Sequence, residues 1–133
     1  MKLLRTSKFI DIEFDDADKL IKLIWKIETD GMTSSDFREE MEAYAEFFNL
    51  QPKLVLHEMR DMRFGIAPDD QIWLDNNINT KGVEAGVKKA AFVLSTDIFA
   101  SVSVQQASSE KNIQPVEVEY FDSEAEAHNW LLS

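Results

Sequence analysis

The apolar pattern changes character part-way along the chain, and that change most restricts the fold. Near the start, Ile10, Ile12 and Phe14 alternate with Asp11 and Glu13, and Ile21, Leu23, Trp25 and Ile27 alternate with Lys22 and Lys26. This two-residue period belongs to strands buried on one face only. From Lys53 onward the runs become continuous: LVL within KLVLHEMRD, Lys53 to Asp61, and AAFVL within KKAAFVLS, Lys88 to Ser95. Continuous apolar runs belong to strands covered on both faces, as in parallel sheets. The polar break Asp15-Asp16-Ala17-Asp18 is short, so the first two strands form an antiparallel hairpin. VEVEYF, Val116 to Phe121, supplies a last strand.

Helical segments fill the intervals. Thr33-Ser34-Ser35-Asp36 is a helix start, Phe37, Met41, Tyr44, Ala45 and Phe48 recur at three- and four-residue spacing, and Pro52 stops the run. Glu39, Glu40, Glu42 and Glu46 fall on the remaining, solvated face. Met32 is placed to staple onto Phe37. Pro68 opens a short helix through Ile78. IFASVSVQQASSE alternates like a strand, yet it lies between two strands that only a crossover can join, and a helix is expected there. At the C-terminus Ser123 and Glu126 make a Ser-x-x-Glu capping box, and Ala127, Trp130 and Leu131 share one face.

The expected order is ββαβαβαβα, an α/β sandwich with a mixed five-stranded sheet, and residues 1–133 form one domain. The clearest helices run from Thr33 to Asn49 and from Ser123 to Leu132. Without Cys, disulfides, thiolate nucleophiles and thiolate metal ligands are excluded. The start MKLLRTSKFIDIEFDD has no apolar core long enough for a signal peptide or a membrane span, so a cytoplasmic protein is expected. With 25 acidic against 14 basic residues the net charge is −11. The basic residues are scattered, so nucleic acid and anionic membrane surfaces are not expected partners.

The strand IWKIET, the buried strand LVLHEMRD, the segment PDDQIWL, the strand KKAAFVLS and the ending YFDSEAEAHNWL, in that order and length, resemble the SpoIIAA-like, or STAS-like, family of small bacterial proteins. The resemblance implies a STAS-like sandwich and a wider relation to Sec14-type lipid-binding domains. It also implies a regulatory partner, and in anti-sigma factor antagonists a phosphorylatable Ser just after the strand that LVLHEMRD resembles. Asp61 to Asp69 of this chain contains no Ser or Thr, and Asp69-Asp70 repels an added phosphate.

No residue set supplies a nucleophile, a base and an oxyanion site together, so a non-enzymatic module without cofactor is expected, with no catalytic residues. His57 and Glu58 are consecutive on a strand and point to opposite faces, which defeats an acid-base dyad. His128 is the other His, and no ligand spacing supports a metal. In open α/β sheets ligands favour the carboxyl ends of strands. Arg60 and Asp61 at the strand exit, with Arg63, Phe64 and Trp73, are therefore the candidate ligand- or partner-binding residues. Arg60 or Arg63 would clamp an anion and Trp73 would form a wall, whereas the plainer alternative is local surface ion pairing. The ligand class is a protein, a small anion or a small apolar molecule. A regulatory or protein-interaction module is the first expectation; nine Phe, three Trp and two Tyr motivate the alternative, a lipid or small-molecule carrier, although such residues more often form core, and Phe47 and Phe64 are the candidates for an interface or a pocket mouth. Met62, Phe64 and Ile66 form an apolar loop, and a homodimer across it is expected unless the loop folds back into the core.

Overall fold

In the computed structural model, which describes residues 1–133, six strands form a single sheet in the order β1-β2-β3-β4-β5-β6. The strands are β1 (Lys2–Thr6), β2 (Ile10–Asp15), β3 (Leu20–Trp25), β4 (Leu54–Glu58), β5 (Lys89–Val93) and β6 (Glu117–Phe121). The first three are antiparallel, and β3 through β6 are parallel. The expected mixed sheet is present with one strand more than expected. β1 lies at the open edge, with Leu3 55% exposed, and carries no buried alternation that would have announced it.

The helices are α1 (Ser34–Glu46), α2 (Pro68–Leu74), α3 (Thr80–Ala85), α4 (Ile98–Ala107) and α5 (Glu124–Leu131). Thr33 caps α1 through a reciprocal box with Asp36, and Ser123 accepts from the Glu126 amide to start α5. IFASVSVQQA is helical, as crossover topology required. The short helix expected after Pro68 is longer than its sequence suggested. α2 runs through a π-helical turn, Asp75–Asn79, directly into α3.

Strand order follows chain order without reversal. Right-handed crossovers between parallel strands that advance in one direction put every crossover helix on the same face. The large core accordingly lies between the sheet and α1 to α4, with Ile12, Leu23, Val55 and Phe92 from the strands meeting Phe37, Met41 and Val104 from the helices. α5 covers the opposite face, where Leu20, Leu56, Ala91 and Val93 meet Ala127 and Leu131.

Three buried carboxylates tie the elements together. Glu40, expected on the solvated face of α1, is instead 6% exposed. It accepts two hydrogen bonds from Arg5 at 2.8 and 3.2 Å and one from Ser7 at 2.6 Å, which fastens the β1 edge to α1. A carboxylate taken from water is tolerated only when so satisfied. Asp70 accepts from Arg38 and Ser34 and joins α2 to α1. Asp75, in the π turn, accepts from Asn79 and from the Asn112 amide, which fastens a 3-10 turn at Lys111–Ile113.

Candidate functional site

The strand-exit residues make mainly local contacts. Arg60 is exposed and its guanidinium donates to Glu58 at 3.0 Å; the Glu58 hydrogen bond and charge raise its pKa. Arg63 donates to the carbonyls of Arg60 and Met62. Its surface depression also holds Glu28 and Asp30, which oppose an anion. Asp61 is exposed and makes no side-chain hydrogen bond. Phe64 stacks on Phe37 with centroids 5.3 Å apart, and Trp73 lies on α2 beneath the Arg38 guanidinium at 5.1 Å. The expectation from the strand ends assumed a crevice. Such crevices arise where strand order reverses, and this sheet has no reversal.

The apolar loop folds inward. Met62 is 0% and Ile66 5% exposed, and Phe64 packs against the core, so these side chains are not offered to a two-fold partner.

A second concave feature lies between the layers. A cavity of about 80 Å³ lies between the sheet and helices α1, α3 and α4, lined by 22 residues of which 18 are hydrophobic. Its floor is set by the sheet register, which pairs His57 with Phe92 and, two residues earlier, Val55 with Ala90. Alternation from the buried Val55 turns His57 to the same side, and Glu58 points to the other face as its position requires. The π turn contributes Ile78 and Asn79 to the wall. A π turn shifts the register of a helix face, and such turns recur at functional sites.

His57 is held firmly. Its ring lies parallel to Phe92 with centroids 4.8 Å apart, and Tyr44 meets it edge-on at 6.2 Å. Trp25 Nε1–H donates to His57 Nδ1 at 3.2 Å. An indole nitrogen can only donate, so Nδ1 is unprotonated and the proton of the neutral ring resides on Nε2. Burial lowers the His57 pKa to about 3, which keeps the ring neutral, and burial raises that of Tyr44.

The aromatic part of this wall carries two polar atoms without a protein partner, His57 Nε2 and Tyr44 Oη. Neither is sealed in the packing, because every fully enclosed side-chain nitrogen and oxygen has a partner. Tyr44 is only 6% exposed, and both residues line the cavity. No Asp, Glu, Lys or Arg joins the lining. Phe47 and Phe64, expected at an interface or a pocket mouth, are not in the lining; Asn79, Val83 and Val87 in the wall are half-buried. The combination is an apolar chamber with neutral hydrogen-bonding groups, a composition typical of small-molecule sites.

Compared with family models, curated proteins and solved structures, the chain matches none. No helix is long and apolar enough to cross a membrane, and no three His, Asp or Glu side chains cluster so as to hold a metal ion.

The sequence indicated neither Tyr44 nor Trp25 as site residues, since both obey the periodicity of core positions. The available signal was a His two residues beyond Val55 on a buried strand, a polar ring forced to the core face.

Proposed function

We propose that this chain is a small non-enzymatic binding module that encloses an apolar small molecule between its sheet and helices. The observation that carries the reading is the chamber itself, apolar in most of its lining, with Tyr44 Oη and His57 Nε2 unpartnered within it. A void of about 80 Å³ costs on the order of 2 kcal/mol at roughly 24 cal/mol per Å³. A closely packed core readily closes such space, and the aromatic lining here is instead braced open by stacking and by the Trp25–His57 bond. Of the roles that the sequence resemblance to STAS-like proteins implies, the apolar chamber accords with a carrier more than with a phosphorylation switch. Native mass spectrometry of freshly purified protein, compared with denatured protein, tests the proposal. A small molecule released on denaturation is expected, and protein that neither retains nor takes up any apolar probe overturns it.

A second reading, a protein-interaction module, rests on the start of α4. Ile98, Phe99 and Val102 are 69%, 81% and 46% exposed. The occupant we assign to this patch is a second copy of the chain, because an isologous contact needs only one self-complementary patch. Light scattering should then show a dimer that Phe99→Glu converts to a folded monomer, and a monomeric wild type excludes it.

A further inference from the structure

If the chamber takes a ligand, as proposed above, its chemistry restricts which one. We propose that the ligand is an uncharged molecule about the size of one five-membered ring, carrying an acceptor oxygen to which Tyr44 Oη–H and His57 Nε2–H donate. Size comes from the cavity: about 80 Å³ is roughly half of the 150 Å³ known to admit benzene, so a phospholipid or a long acyl chain does not fit. Met41 and Met59 in the wall are the flexible side chains that adjust to shape.

Charge follows from the lining. A carboxylate entering this chamber would lose its hydration and meet no cation, since no Lys or Arg lines it, so a fatty-acid anion is rejected. Polarity follows from the two free groups. Nδ1 of His57 is occupied by the Trp25 indole, so the ring offers the ligand a donor at Nε2 and no acceptor. Tyr44 offers a hydroxyl. Ring contacts hold both side chains, and the Trp25 bond at Nδ1 also holds His57, so both rings are oriented before a ligand arrives. A hydrocarbon would leave both donors unmet, whereas a ketone, ether or ester oxygen satisfies at least one.

Three probes that share one five-membered ring separate the possibilities: cyclopentanone, cyclopentane and cyclopentanecarboxylate, titrated into the purified full chain. The readouts are the His57 Nε2–H and Trp25 Nε1–H resonances of ¹⁵N-labelled protein. Cyclopentanone should bind at least tenfold more tightly than cyclopentane and shift the His57 Nε2–H resonance downfield, with the carboxylate weakest. Tyr44→Phe, which preserves the ring and its packing, should weaken the ketone several-fold and leave cyclopentane unchanged. Equal binding of ketone and hydrocarbon, insensitive to Tyr44→Phe, overturns the donor assignment while the apolar chamber stands as a binding site. Preferential binding of the carboxylate overturns the assignment of an uncharged ligand. Failure of both neutral probes to bind overturns the binding site itself.

Discussion

His57 concentrates the physical chemistry of this molecule in one side chain: a strand position places it inside, an indole fixes its tautomer, and burial keeps it neutral. That neutrality has a thermodynamic consequence. The unfolded chain binds a proton at His57 below about pH 6.5, whereas the folded chain does so only near pH 3. Between these values the unfolded state holds more protons, so stability falls as the solution is acidified, by up to about 1.4 kcal/mol per pH unit. Asp11 acts in the same sense at lower pH, because its hydrogen bonds from Lys26 and Thr6 depress its pKa and are lost on protonation. Urea denaturation from pH 7 to pH 4 should show this decline. In His57→Phe the decline should be shallower, at the cost of about 1–3 kcal/mol at pH 7 from the buried Trp25 indole left without an acceptor. A pH profile in the variant as steep as in the wild type would remove His57 from this account.

Element by element, the fold was legible wherever pattern and topology agreed. The hairpin of β2 and β3, the buried strands β4 and β5, the capped helices α1 and α5 and the crossover α4 follow from periodicity, caps and the need to join parallel strands. β1 was not legible because a short edge strand buries little and so shows no alternation. Its anchor, Glu40, looked like one more solvated glutamate, since its partners Arg5 and Ser7 lie far away in sequence. Arg5→Ala leaves that carboxylate buried without its cation and should cost about 1–3 kcal/mol, with amide exchange accelerated first in β1. α3 ends at Gly86, whose φ of 104° and hydrogen bonds to Gly82 and Val83 form a left-handed helix stop, with Val87 also returning to Gly82. Gly86→Ala should lower stability by about 1 kcal/mol without changing the fold, as read by thermal denaturation.

At the scale of the whole molecule, a sheet whose strand order never reverses has no crevice at a switch point, and the cavity lies instead between layers. This is why Arg60, Asp61 and Arg63 turned out to make local contacts or none, while the aromatic surplus that suggested an apolar ligand found its place in the chamber wall. A sequence shows which residues are apolar; whether the helices close fully on the sheet depends on how Phe92, His57, Tyr44 and Phe48 brace one another, which is settled only in three dimensions. The most direct test is diffraction from crystals pressurised with xenon, an atom that enters apolar cavities without needing a hydrogen bond. An anomalous peak, or the density of a retained ligand, is expected, bounded by Tyr44, His57, Phe92 and Val104. A core with neither, in which Tyr44 and Phe48 have closed onto His57 and Phe92, would contradict the proposal.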